Sequence, residues 1–338
     1  MTECKSSAWI GLDVGKKTFS AAIDLPVDGR RQKLTDIPCR EFARTPKGVE
    51  DFFAWTEKTA TGLPAGIVME TTGCYSQHLA DWIGKSRPSI PVTIENARAL
   101  HAFIQSLNLP HKTDRLDAQA IARFGTERRP APSVRPSPAI LALRELSRER
   151  SALIKARTEL QNRRDSLSTE VARRHNARTL AALTTQIQML DDEIKACVVE
   201  DEELLAEVHV MTTMPGVKFV SAYSILAEIG SLKQYSAKEL SAISGLCPRI
   251  LDSGTSVHSS YMSRRSSARL RQILYLDSVI ATRKIPVLSE FYSRLVSKGK
   301  KKMTARCACM RKMLLMLRAM VVAATPYSEN FEKISVSA

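Results

Sequence analysis

Hydrophobic period changes repeatedly within the first 125 residues, and the order of those changes restricts the fold more than any other feature. Ala8-Trp9-Ile10-Gly11-Leu12-Asp13 reads as an apolar strand closing on an acid. Val14-Gly15-Lys16-Lys17 reads as a turn and Thr18-Phe19-Ser20-Ala21-Ala22-Ile23 as a second strand, so residues 8–25 predict a hairpin. A third strand is expected between Arg31 and Arg40. Thr45-Pro46-Lys47-Gly48 opens a helix through Phe52, Phe53 and Trp55. Gly66-Ile67-Val68-Met69-Glu70 is a short apolar run, again ending on an acid. Thr71-Thr72-Gly73 breaks it, and a helix through Tyr75, Leu79, Trp82 and Ile83 follows. Ile90 to Ile94 is one more strand, and a helix runs from Asn96 to about Leu107. A hairpin edge followed by alternating strand and helix predicts a mixed sheet in an α/β domain.

Functional groups in such sheets gather at the carboxyl ends of strands. Asp13 and Glu70 both close predicted strands, and if those strands are parallel neighbours the two acids meet at one edge. The next segment, His111-Lys112-Thr113-Asp114-Arg115-Leu116-Asp117-Ala118-Gln119-Ala120, has helical apolar spacing through Leu116, Ala120, Ile121 and Phe124. Asp114 and Asp117 are three residues apart and share a helix face. Adjacent like charges repel unless a cation lies between them, which asks for a hard divalent metal such as Mg2+, with Mn2+ as the substitute. Read singly, each acid is more simply a solvated strand end or a dipole-favoured helix start. Read together, four carboxylates converge around one or two metal ions, the arrangement of metal-assisted phosphodiester chemistry.

The charge balance supplies the partner. Fifty Lys and Arg stand against 35 Asp and Glu, a net charge of +15. Such an excess predicts a polyanion, most simply nucleic acid. No apolar run approaches the ~20 residues needed to span a bilayer, and Met1-Thr2-Glu3-Cys4-Lys5 has no signal-peptide core behind it. A soluble, cytoplasmic protein with no membrane partner is expected. The 7 cysteines are scattered, with no Cys-x-x-Cys, so neither a zinc site nor disulfides are expected.

Residues 126–138 change composition, with prolines at 130, 132, 136 and 138, and read as a linker. Residues 139–208 are helical by pattern. Leu146, Leu153, Leu160 and Leu167 repeat every seven residues, as in a coiled-coil seam. Arg150, Arg157 and Arg164 form a basic stripe beside that seam, for salt bridging or for a nucleic-acid backbone. Arg173-Arg174-His175-Asn176 looks like a helix break before a second amphipathic helix through Leu180, Leu183, Ile187, Leu190 and Ile194. A helical hairpin, able to dimerise, is expected. Met214-Pro215-Gly216-Val217 interrupts two further helices in the manner of a helix-hairpin-helix, whose next helix start suits a phosphate.

Leu240, Ile243 and Leu246 give an apolar helix face, followed by Ser244-Gly245-Leu246-Cys247-Pro248-Arg249-Ile250-Leu251-Asp252-Ser253-Gly254. Ser253 precedes a glycine, which permits close approach of backbone to a ligand. A serine hydroxyl among arginines can attack phosphorus, but local chemistry does not separate Ser253 from Ser256, Ser259 or Ser260. Candidate phosphate contacts are Lys112, Arg249, Arg264, Arg265, Arg269 and the run Lys300-Lys301-Lys302. After that run comes a strongly apolar helix through Met310, Met313, Leu314, Leu317, Met320 and Val321. The expected organisation is an acid-bearing domain over 1–130, a linker and helical hairpin over 131–208, and a mainly helical domain over 209–338.

In their order and spacing, these stretches resemble the DEDD transposases of insertion sequences, relatives of the Piv-type DNA invertases. The resemblance is carried by Ile10-Gly11-Leu12-Asp13, by Met69-Glu70-Thr71-Thr72-Gly73-Cys74-Tyr75 and by Lys112-Thr113-Asp114-Arg115-Leu116-Asp117-Ala118. It continues through Met214-Pro215-Gly216-Val217 and Ser244 to Gly254, nearly the whole chain. It implies a RuvC-like (RNase H) domain joined by a coiled coil to a helical transposase domain. It implies a metal-binding tetrad of Asp13, Glu70, Asp114 and Asp117, and a serine nucleophile at Ser253. The implied reaction is DNA recombination through a 5′-phosphoserine intermediate, with acids and Mg2+ at the same phosphate and another protomer as one source of them. It further implies a bridge RNA choosing donor and target DNA, a homo-oligomer (dimer or tetramer), and association with the nucleoid. The run from Met262 to Ser267 departs from relatives in lacking a glycine. Two other readings are a Holliday-junction-type endonuclease using only the four acids, and a non-catalytic nucleic-acid-binding assembly protein.

Overall fold

The computed structural model describes residues 8–25, 32–60, 62–109, 111, 113–253, 257–262 and 267–328, with backbone alone for 248–253 and 257–262. The chain divides into two compact units, Met1–Arg135 and Pro136–Ala338.

The first unit is built on strands β1 (Trp9–Val14), β2 (Thr18–Asp24) and β3 (Cys39–Ala43), helix α1 (Pro46–Thr59), β4 (Gly66–Glu70), α2 (Cys74–Ser86), β5 (Val92–Glu95), α3 (Ala97–Ser106) and α4 (Asp114–Arg128). The sheet order is β3-β2-β1-β4-β5. β1, β2 and β3 pair antiparallel, and β1, β4 and β5 pair parallel. This is an RNase H-like mixed sheet. The expected third strand begins late, at Cys39, because Leu34–Asp36 forms a 3-10 turn and Ile37 turns inward toward α4. Pro38 lacks an N–H to donate, but its carbonyl accepts from the Ile23 amide at 3.0 Å.

Alternation along β1 gives each face its own cover. Ile10, Leu12 and Val14 join Phe19, Phe52, Ile67, Met69, Leu79 and Ile83 in the core under α1 and α2. Trp9 and Val68 join Leu100, Phe103, Ile121 and Phe124 under α3 and α4. Gly11 lies on that second face, and only a residue without Cβ fits there. An added Cβ would stand 2.1 Å from the Ala122 nitrogen and 2.3 Å from the Ala118 oxygen. One buried ion pair fixes the same helix: Arg123 Nε donates to Asp24 Oδ2 at 2.8 Å, and the guanidinium also reaches the Gln32 carbonyl at 2.7 Å. The Gln119 amide donates to the Ile37 carbonyl at 2.7 Å.

Among the described residues, the second unit is helical apart from one two-stranded ribbon. Its elements are α5 (Pro138–Arg164), α6 (Glu170–Glu200), α7 (Glu202–Thr212), α8 (Phe219–Ile229), α9 (Ala237–Ile243), β6 (Pro248–Ser253), β7 (Val257–Met262), α10 (Ala268–Lys284), α11 (Pro286–Ser297) and α12 (Lys302–Ala323). Tyr223, Leu226, Leu274, Met313 and Leu317 lie in its core, so the methionines of the last helix are interior packing.

The hairpin of α5 and α6 turns earlier than its sequence suggests. Arg173 to Asn176 lie inside α6, and the break is at 165–169, so Leu167 of the heptad falls in the turn. The Thr169 side chain caps α6 by accepting from the Ala172 amide, a stronger start signal than a basic run is a stop signal. Asn176 is buried and donates to the Leu160 carbonyl of α5 at 3.1 Å. Met214-Pro215-Gly216-Val217 is the tight turn between α7 and α8. Gly216 adopts φ +101 against α10, where a Cβ would come 2.8 Å from the Asp277 oxygen.

Candidate active site

Two strands and one helix start determine where the sequence-predicted acids fall. In the parallel pairing of β1 with β4, Leu12 stands opposite Met69, so Asp13 and Glu70 follow at the same level and on the same face. That face is the one α4 covers. Gly125 of α4 sits over Trp9, and Ala118 and Ala122 sit over Gly11, so α4 runs antiparallel to β1. Continuing toward Asp13 brings the first turn of α4, with Asp114 and Asp117, to the level of the strand acids. The contacts of Cys39 locate the same corner. Its Sγ lies 3.9 Å from the Arg115 carbonyl. Burial pushes its thiol pKa up, with Arg115 opposing and the Asp13 carboxylate adding to the rise.

Local hydrogen bonds hold each acid-bearing segment. The Thr113 hydroxyl caps α4 by accepting from the Leu116 amide at 3.2 Å, and the Asp117 amide donates to the Thr113 carbonyl at 2.9 Å. After Glu70, the Thr71 amide and hydroxyl both donate to the Glu95 carbonyl, at 3.0 and 2.8 Å, closing β4 onto β5. Gly73 then takes φ +61 to turn the chain into α2. Glu95 is an acid that the strand-end argument missed. It pairs in register with Glu70, and its Oε1 accepts from the Asn96 amide at 2.8 Å.

Glu70 and Asp117 line one cleft of about 780 Å3 together with Arg98, His101 and Gln105 of α3 and His111. Asp13 and Asp114 are not among its lining residues. Asp114 is exposed, whereas Asp13, Glu70 and Asp117 are half-buried. The donor set is all carboxylate oxygen, which suits a hard divalent cation. Among the described residues, no group of three or more His, Cys, Asp or Glu lies close enough together to hold a metal ion. The fold therefore brings the acids to one edge without drawing them into a closed coordination sphere.

The other candidates lie on the second unit. Ser253 ends β6 opposite Val257, and Arg249 stands opposite Tyr261. Lys112, Arg264 and Arg265 lie outside the described residues. Arg150 and Arg269 line one groove of about 740 Å3 beside Tyr223. Each already has an acid partner: Arg150 makes two hydrogen bonds to the Asp191 carboxylate of α6, and Arg269 lies 3.9 Å from Glu228. Arg157 is half-buried, and its enclosed Nε has no hydrogen-bond partner among the described residues. Arg164, Lys300, Lys301 and Lys302 are exposed. Among the described residues, no helix is long and apolar enough to cross a membrane.

Residues 10–172 match a DEDD-type IS110 transposase model, and residues 208–293 match the model described as transposase IS116/IS110/IS902 family. Curated relatives include the pilin gene-inverting proteins of Moraxella bovis and Moraxella lacunata. Each is 28% identical over 97% of this chain and 100% of its own length. The insertion element IS110 uncharacterized 43.6 kDa protein of Streptomyces coelicolor is 28% identical over 46% of this chain and 37% of its own. Among solved structures, T. thermophilus RuvC in complex with a Holliday junction substrate covers 38% of this chain and 99% of its own. It shares 13% identity at a TM-score of 0.26. With the acid-bearing mixed sheet followed by a second matched domain of the same kind, the chain belongs to the IS110 family of DEDD transposases.

Proposed function

We propose that this transposase cuts and rejoins DNA at an insertion-sequence junction through a 5′-phosphoserine intermediate on Ser253. Asp13, Glu70, Asp114 and Asp117 hold Mg2+, or Mn2+ in its place, at the same phosphate. The observation that carries the reading is the alignment of Asp13 with Glu70 on neighbouring parallel strands, with the first turn of α4 laid over that face. A bound metal supplies the positive charge that lets a phosphodiester sit among carboxylates and offsets the charge gained in the transition state.

The chain's own residues carry the bond changes. The Ser253 oxygen attacks phosphorus, the bond to the 3′-oxygen breaks, and the proton lost by serine is passed through solvent to the departing 3′-oxygen. The 5′-phosphate stays on serine, so the bond energy is conserved. A 3′-hydroxyl from another strand then reverses the step, rejoining DNA and restoring the serine hydroxyl.

Donor and target DNA are chosen by a bridge RNA. The basic surface that a net charge of +15 must provide, including Arg164 and Lys300 to Lys302, suits both polyanions. A dimer or tetramer is favoured by the α5–α6 hairpin, where Leu146, Leu153 and Leu160 stay half-buried and Met189 is 56% exposed. In that assembly one protomer can supply the acids and another the serine, in a cytoplasmic, nucleoid-associated complex.

Covalent capture tests this directly. Wild type and Ser253→Ala are incubated with labelled junction DNA, its flanking RNA and Mg2+, then run on denaturing gels. A protein–DNA adduct in wild type, absent from the variant, is expected. Cleavage without an adduct would move the reading to a junction endonuclease that uses the acids alone.

A further inference from the structure

The cleft beside the acid edge carries a feature that the four acids and Ser253 do not explain. From Asn96 to Thr113 the chain contains no Asp or Glu, although acids flank it at Glu95 and Asp114. Helix α3 occupies most of this stretch and is strongly two-sided. Leu100 and Phe103 are buried in the sheet core. Arg98, His101 and Gln105, at helical spacing, are exposed and line the cleft, and His111 joins them from the α3–α4 connection. Asn108, in the left-handed region at φ +50, turns the chain at the end of the helix.

A wall with one guanidinium, two imidazoles and two carboxamides (Gln105 and Asn108), facing Glu70 and Asp117 without any acid of its own, is an unusual lining. It provides one strong phosphate ligand, planar rings that can stack on a base, and an amide that can read a base edge in both directions. In a paired duplex the base faces and Watson–Crick edges are covered, whereas an unstacked nucleotide exposes them along with its groove edges. A volume of about 780 Å3 falls in the range of pockets that take a nucleotide-sized group.

We infer that this cleft seats one unstacked nucleotide of the DNA strand being cut, next to the acid edge. Arg98 holds its phosphate, His101 and His111 stack against its base, and Gln105 reads the base edge. The inference rests on the proposed acid-edge chemistry for which strand is present, yet it concerns binding and needs no metal to be tested. These residues are positioning and specificity residues, outside the bond changes themselves.

The experiment is photocrosslinking of the full chain, in EDTA, to a single strand carrying 5-iodouracil, followed by peptide mapping. Crosslinks on the peptide spanning 97–111 are expected. Arg98→Ala and Gln105→Ala, both at exposed helix positions, should each lower that crosslink by about tenfold, the effect of one charge-assisted or bidentate contact. Lys85→Ala on exposed α2 should leave it within about twofold. Glu70→Gln should raise the crosslink by removing a negative charge beside the strand. Crosslinks only outside 97–111, an unchanged yield in Arg98→Ala and Gln105→Ala, or a signal confined to a ribonucleotide strand would each overturn the inference. Because no cleavage is measured, the acid-edge reading fails separately: Glu70→Gln retaining metal-dependent cleavage would sink that reading and leave the crosslink intact.

Discussion

Gly11→Ala is the sharpest test of how the acid edge is built. All three nearest neighbours of an added Cβ are backbone atoms of α4: the Ala122 nitrogen at 2.1 Å, the Ala118 oxygen at 2.3 Å and the Ile121 carbonyl carbon at 2.7 Å. No side chain can rotate away to relieve the overlap. Ordinary contact begins near 3.4 Å, so α4 must retreat by about 1.3 Å from β1. The same helix carries Asp114 and Asp117, so these acids move away from Asp13 and Glu70 by a comparable distance. Overpacking of this kind costs about 3 kcal/mol, at the upper end for a small-to-large change because the overlap is with backbone. A misplacement of about 1 Å in a catalytic group costs roughly a hundredfold in rate.

Intrinsic fluorescence can read the stability effect locally. The 3 tryptophans, Trp9, Trp55 and Trp82, all belong to the first unit. Urea unfolding followed by tryptophan emission should therefore show an earlier midpoint for Gly11→Ala, while cleavage of junction DNA falls by at least about two orders of magnitude. A wild-type midpoint together with a wild-type cleavage rate would refute the close seat of α4 on β1.

Two further outcomes are expected. Arg123→Met leaves the Asp24 carboxylate buried without its cation and should cost about 3–5 kcal/mol by the same fluorescence assay; the double variant with Asp24→Asn should recover part of that loss, and no recovery would mean that the pair is not coupled. Asp277 is buried, accepts from the Ser221 hydroxyl at 2.7 Å, and burial pushes its pKa up from 3.8 to about 6. Because the folded state holds its proton more tightly than the unfolded state, its contribution to stability is greatest below about pH 4 and is lost as pH rises toward about 6. Asp277→Asn should flatten that window in thermal melts and raise the melting temperature at pH 7.5, and an unchanged pH profile would contradict the assignment.

Much of the first unit was legible in its sequence, because period and punctuation act locally. The strands that carry Asp13 and Glu70 near their carboxyl ends, the break at Thr71-Thr72-Gly73 and the helical spacing from Leu116 to Phe124 each depend on a few consecutive residues. The helix break of the long hairpin was misplaced for the converse reason. Arg173 to Asn176 look unfavourable when read alone, but the Thr169 cap and the bond from Asn176 to the Leu160 carbonyl hold them inside α6. The late start of β3 likewise reflects Ile37 packing beneath α4, a contact with residues some eighty positions away. Glu95 and the polar wall of α3 were missed, although the absence of any acid from 96 to 113 was there to be read.

The sequence by itself determined the family, the acid residues available and the excess of positive charge, since these are properties of residue type and spacing. The tertiary structure alone decided that Asp13 and Glu70 stand level on one face, that α4 is pressed onto Gly11 over that face, and that α3 completes a cleft beside them. Strand register and the distance between a helix and a sheet are set by packing between distant segments, where a missing Cβ or one buried ion pair decides which atoms meet.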